Sequence, residues 1–142
     1  QKYAKKIADK LNYAGVLCVE MFLLKNKDII INEFAPRPHN SGHLTIDAFN
    51  ISQFEYQLRV LCDLPLISPK IKKPSIMVNI LGDKWKIFNS NLKFLLSNDN
   101  VKLHLYGKTT VKAGRKMGHF TVQGDNISSC LKLAKKIQSK LS

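Results

Sequence analysis

The chain has 142 residues, 44% of them hydrophobic, and carries a formal net charge of +13 with a pI near 9.8. That length and apolar content suit one domain, or part of a larger protein, with a real core. They exclude a transmembrane helix, since the longest apolar stretch, Val16 to Leu24, is too short to cross a bilayer and is broken by Glu20.

In chain order, Tyr3 to Leu11 reads as a helix, with Ile7 and Leu11 on one face and Lys5, Lys6 and Lys10 as solvated charge. The chain opens on this running helix with no initiator Met and no leader peptide, the expectation for a piece of a longer protein. Asn12 and Gly15 end the helix. Val16 to Leu24 is strand-like, Lys25 to Asp28 a turn, and Ile29 to Phe34 a return strand, so the two are expected to pair as an antiparallel hairpin with Ile29 to Ile31 buried. Asn32 to His43 is then expected to be a non-helical polar loop, held open by Pro36, Pro38 and Gly42.

Asn50 or Ser52 caps a helix to about Cys62, with Glu55 completing a capping box and Ile51, Phe54, Leu58 and Leu61 on one face. Pro65, Pro69 and Pro74 punctuate a basic connector, the best place for a boundary. Ser75 to Leu81 reads as a strand, Leu92 to Ser97 as a short helix, Val101 to Tyr106 as a half-buried strand with His104 facing solvent, and Met117 to Gln123 as a strand. Asn126 caps a last helix whose apolar stripe is Ile127, Leu131, Ala134, Ile137 and Leu141. Trp85 reads as packing. Cys18, Cys62 and Cys130 are odd in number and widely spaced, which fits free buried thiols in a reducing cytoplasm better than a disulfide frame or a metal knuckle.

The chemistry concentrates on two carboxylates. Glu20 and Glu33 each interrupt an apolar run, where an unpaired charge is costly. Pairing about the turn brings them near one another, and two close carboxylates repel unless a cation sits between them. A hard divalent ion with oxygen ligands satisfies that arrangement, magnesium on nucleotide phosphates being the usual occupant. The alternatives are a solvent-facing pair, or a pairing of one glutamate with Arg37. Arg37, His39, Asn40 and Ser41 follow directly; Arg37 offers paired donors to an anion, and His39 and Asn40 add hydrogen bonds. His39 and His43 lie four apart, but the residues between them lack the glutamate of the helical zinc motif. Lys108, Lys112, Arg115 and Lys116, with His119 beyond, make a second basic cluster on a glycine-flanked loop that suits a phosphate. The bland reading of such a run is a solvated surface. The remaining lysines are scattered and lack interleaved aromatics, which argues against a nucleic-acid groove.

At these residues a resemblance enters. Asn32-Glu33, then Ala35-Pro36-Arg37-Pro38-His39-Asn40-Ser41-Gly42-His43, Ser52-Gln53-Phe54-Glu55 and Leu64-Pro65-Leu66 resemble 5-(carboxyamino)imidazole ribonucleotide synthase, the ATP-grasp carboxylase of purine biosynthesis. Tyr106-Gly107-Lys108 and Gly114-Arg115-Lys116-Met117-Gly118-His119 resemble that family's C-terminal segment. The resemblance implies an α+β fold. Residues 1–66 are the C-terminal part of an ATP-grasp domain, antiparallel strands plus helices, and residues 67–142 a small mixed, β-rich C-terminal α/β domain. It implies an ATP-dependent ligase that carboxylates aminoimidazole ribonucleotide with bicarbonate through carboxyphosphate. Carried over by motif, Glu20 and Glu33 are magnesium ligands (manganese substituting), and Asn32 joins them at the nucleotide. Arg37, His39 and Asn40 hold bicarbonate or carboxyphosphate, while Lys108 and Arg115 hold the ribonucleotide 5′-phosphate. The family's N-terminal domains and nucleotide lysines are absent from this sequence, so the 142 residues by themselves are expected to have no turnover. The complete enzyme is expected to be a cytoplasmic homodimer with no nucleic-acid or membrane partner. The competing readings are another ATP-grasp carboxylase or formate-using transferase, and a basic nucleic-acid-binding module.

Overall fold

The computed structural model describes residues 1–141, which form two compact units: 1–46 with 50–70, and 47–49 with 71 onward. No helix among the described residues is long and apolar enough to cross a membrane.

In the first unit, α1 (Lys2–Lys10) ends where Asn12 takes a left-handed backbone conformation (φ 47°), one that asparagine tolerates better than most residues. β1 (Cys18–Leu23) and β2 (Ile29–Ala35) pair antiparallel, as the sequence predicts. The turn between them closes through Leu24 and Asp28, with Asn26 donating to the Asp28 carboxylate at 2.7 Å. The register sets Glu20 directly opposite Glu33, then skips, pairing Met21 with Ile31. Asn32 is therefore the extra residue of a β-bulge, a feature that bends a strand and re-aims its side chains.

Ile29, Ile30 and Ile31 are not buried as expected; each is 46–50% exposed. The hairpin has only two strands, and β2 stays exposed from Ile29 to Phe34 even where Ile31 and Phe34 share a cavity with Tyr3 and Ile7 of α1 and with Leu11 just beyond it. The proline-bounded loop also departs from the expected open form. Asn40–Leu44 winds into a 3-10 turn that runs into a one-turn helix, α2 (Thr45–Ala48). The prolines lie ahead of that turn, so neither obstructs it, and His39 caps it through its side chain. α3 (Gln53–Leu61) starts on Ser52, whose hydroxyl accepts the Glu55 N–H at 3.1 Å. The capping box is only half formed, because Glu55 turns instead to Arg59 at 2.8 Å. Of the predicted α3 stripe only Ile51 is buried, while Phe54, Leu58 and Leu61 face solvent.

The second unit holds the core. β3 (Ser75–Leu81), β4 (Val101–Leu105) and β5 (Lys116–Gln123) form an antiparallel sheet in the order β3-β5-β4. Between β3 and β4 lie α4 (Trp85–Ser90), which the sequence reading missed, and α5 (Leu92–Leu96). Residues alternating along β5, Phe120 and Val122, meet Phe88, Leu95, Ala134 and Ile137 in one apolar cluster. Trp85 packs against it, as predicted. The closing helix, α6 (Ile127–Lys140), is capped by Asn126, whose side chain accepts the Ser129 N–H at 2.9 Å. Its buried face is Cys130, Ala134, Ile137 and Leu141; Ile127 and Leu131, assigned inward from the sequence, point out. Cysteine at 130 behaves as a small apolar residue and shifts the stripe by about one position. Cys62 is exposed rather than buried.

Candidate functional site

The hairpin register settles the geometry on which the sequence reading depends. Directly opposed residues of an antiparallel pair share a face, so Glu20 and Glu33 lie on the same side of the sheet. Among the described residues no lysine or arginine pairs with either carboxylate. The one cationic candidate at hand is His39, whose Nε2 stands 3.4 Å from Glu20 Oε1. Two carboxylates opposed on one face offer oxygen donors, which suits a hard divalent ion.

The loop that follows is built to hold His39. Gln53, buried at the start of α3, accepts the His39 N–H at 2.9 Å and donates to the His39 carbonyl at 2.7 Å. The same amide nitrogen contacts His43 Nδ1 at 2.7 Å. Ser41 Oγ meets His39 Nδ1 at 2.9 Å, which turns Nε2 toward Glu20. Thr45 ties the turn down, donating its hydroxyl to the Gly42 carbonyl and accepting the Gln53 N–H. Asn40 Oδ1 is shielded from solvent without a hydrogen-bond partner among the described residues, an acceptor left for something else. Arg37 is exposed, and its Nη1 donates to the Pro38 carbonyl at 3.1 Å, so it does not pair with either glutamate.

The second predicted cluster belongs to the other unit. Lys108 Nζ donates to the Lys116 carbonyl at 2.6 Å, and Arg115 Nη1 to the Thr110 carbonyl at 2.9 Å. The basic loop thus uses its own cations to fix its backbone. It is pinned to the segment after β3 as well: Gly82 donates to the Arg115 carbonyl at 2.8 Å, and Gly114, in a left-handed conformation, donates to Asp83 at 2.7 Å.

Sequence reasoning missed two features. Gln53 lay inside a quoted motif without a role; its signal is a long polar side chain at the first turn of a helix, free to reach back toward the preceding loop. The other is a polar chain on the sheet face away from the core. His104 is half-buried rather than solvent-facing, because Asp47 Oδ2 meets its Nε2 at 2.9 Å. Its ring stacks on His119 at 4.6 Å, and His119 Nδ1 meets the Tyr106 hydroxyl at 2.8 Å. Burial raises the Tyr106 hydroxyl above its ordinary pKa, so it stays protonated and able to donate.

Comparison with known proteins matches both parts of the chain. Residues 1–54 match the ATP-grasp domain, and residues 75–133 the phosphoribosylaminoimidazole carboxylase C-terminal domain. Over 118 residues the chain is 49% identical to the N5-carboxyaminoimidazole ribonucleotide synthase of Bacillus subtilis, covering 83% of this chain and 30% of that protein. The chain belongs to the N5-carboxyaminoimidazole ribonucleotide synthase family. It is also 46% identical over 124 residues to the phosphoribosylaminoimidazole carboxylase of Schizosaccharomyces pombe, covering 82% of this chain and 22% of that one. Among solved structures of the synthase family, the ATPase subunit from Aquifex aeolicus matches with a TM-score of 0.89 at 41% identity, over 99% of this chain and 42% of the other. The synthase from Aspergillus clavatus, in complex with ADP and 5-aminoimidazole ribonucleotide, matches with a TM-score of 0.79 at 38% identity, over 89% and 35%. The 142 residues therefore span about a third of the length of the synthases they match.

Proposed function

We propose that this chain supplies the metal-binding and bicarbonate-handling part of an ATP-dependent ligase that carboxylates aminoimidazole ribonucleotide in purine biosynthesis. In this reading residues 1–66 are the closing part of the ATP-grasp domain and residues 67–142 the small C-terminal domain. The observation that carries it is the direct opposition of Glu20 and Glu33, with Asn32 bulged beside them and no lysine or arginine paired with either among the described residues.

The reaction couples two transfers. Bicarbonate oxygen attacks the γ-phosphorus of ATP, the bond to ADP breaks, and carboxyphosphate forms. The amine of the ribonucleotide then takes the carboxyl group and phosphate leaves. Glu20, Glu33 and the Asn32 side-chain oxygen would hold magnesium, which supplies charge neutralisation between the phosphates. His39, fixed by Gln53 and Ser41, stands at the edge of that acidic face to bind bicarbonate and orient it. The buried Asn40 oxygen is an acceptor for the bicarbonate hydroxyl. Arg37 is free to swing from its own loop to an anion, since the bond it would give up is an exposed one. Carboxyphosphate is short-lived in water, so fixed donors and exclusion of solvent matter as much as charge. Lys108 and Arg115 are assigned to the ribonucleotide 5′-phosphate, as a point charge and a guanidinium fork.

The complete enzyme is expected to be a cytoplasmic homodimer. The test is Glu33→Gln in that complete enzyme. Bicarbonate-dependent release of phosphate from ATP should fall to background, with folding unchanged by circular dichroism. A rate retained at saturating magnesium removes Glu33 from the metal site.

A further inference from the structure

Cys18, Glu20 and His39 bring a thiol, a carboxylate and an imidazole together, with their ligand atoms all within 4.8 Å of one another. Cys18 and Glu20 are two apart on β1 and so leave the same face of the strand. The separation of Glu20 Oε1 and His39 Nε2 is 3.4 Å. A tetrahedral zinc ion with nitrogen and oxygen bonds of about 2.0 Å holds those two ligands about 3.3 Å apart. That edge of the coordination shell is already formed. A thiolate with a zinc bond of about 2.3 Å belongs about 3.5 Å from each partner, and Cys18 Sγ already stands within 4.8 Å of both. Ser41 completes the arrangement. Its hydroxyl lies 2.9 Å from His39 Nδ1 and 3.6 Å from Cys18 Sγ, the outer contact that fixes ring orientation in metal-bound histidines.

We propose that Cys18, Glu20 and His39 form a binding site for a thiophilic divalent ion of the zinc class. Sulfur and imidazole donors favour such an ion over magnesium, which prefers oxygen. The two kinds of ion therefore contend for Glu20: magnesium shares it with Glu33, and zinc shares it with Cys18 and His39. Zinc then acts as an inhibitor by drawing away both a magnesium ligand and the bicarbonate-orienting imidazole. That consequence, unlike the site itself, rests on the function proposed above.

The test uses the full-length protein that carries this chain, with cobalt(II) as a spectroscopic probe and zinc as competitor. Cobalt should give a thiolate-to-metal charge-transfer band in the near ultraviolet, abolished by zinc. The band should survive Cys62→Ser and disappear in Cys18→Ser, Cys18→Ala and His39→Ala. Zinc affinity should fall at least tenfold in both Cys18 variants. No band in the unaltered protein, or a band that persists in Cys18→Ser, overturns the site. In a second measurement, zinc should suppress magnesium-dependent ATP turnover in the unaltered enzyme and not in Cys18→Ser. A cobalt band without that suppression upholds the zinc site and counts against Glu20 as a magnesium ligand.

Discussion

Gln53 shows how one side chain sets the geometry of several others. Its amide satisfies both the N–H and the carbonyl of His39 and reaches His43 as well. Gln53→Leu keeps the volume and removes those partners, leaving part-buried polar groups of the backbone unsatisfied. Each such group costs about 1–3 kcal/mol, so the variant should lose about 2 kcal/mol or more in urea unfolding. In the complete enzyme the KM for bicarbonate should rise more than the KM for ATP, because the loop moves and the strands do not. Equal changes in both would show that Gln53 supports the fold in general rather than His39. At this scale the sequence was unevenly legible. Glu20 and Glu33 were readable because a short turn between two strands fixes which residues face each other. The approach of His39 to Glu20 was not, because it depends on a 3-10 turn and on a glutamine fourteen residues away.

At the scale of elements, the second unit shows what holds a charged loop in place. A β-carbon added at Gly82 would run into the Lys112 backbone carbonyl, and a backbone cannot step aside as a flexible side chain does. Gly82→Ala should therefore push the 108–115 loop away from the segment after β3 and break the Gly82 to Arg115 hydrogen bond. The expected cost is about 1–3 kcal/mol, the usual range for overpacking. Affinity of the complete enzyme for the ribonucleotide, measured calorimetrically, should fall with it. Unchanged affinity would mean that Lys108 and Arg115 do not depend on the loop's position, and would weaken their assignment to the phosphate. The strands and long helices were legible from periodicity and capping residues, as Asn126 and Ser52 both show. Which face of a helix turns inward was less so. On α6 the predicted stripe holds for Ala134, Ile137 and Leu141, whereas Ile127 and Leu131 point out and the small residue Cys130 is buried instead.

Taken over the whole chain, stability is unevenly distributed. The second unit closes ten buried residues into one apolar cluster, with β5 covered along most of its length. The first has a two-stranded hairpin whose isoleucines stand about half exposed, together with Phe22, Leu23 and Phe34. A pair of strands without a third, or a helix packed on its face, is marginal in water. Strand patterning alone reads Ile29 to Ile31 as buried, since a sequence says which surfaces are apolar and not whether the covering layer belongs to the same 142 residues. Hydrogen exchange separates these two cases. In the 142-residue chain, amides of β3, β5 and α6 should exchange through global opening of their unit and be the slowest, whereas those of β1 and β2 should exchange orders of magnitude faster through local opening. In the complete enzyme, which adds the region its relatives carry, the hairpin amides should slow and the second unit should change little. Equal protection of hairpin and core in the short chain would mean that the exposed isoleucines need no cover, and that the first unit is stable as it stands.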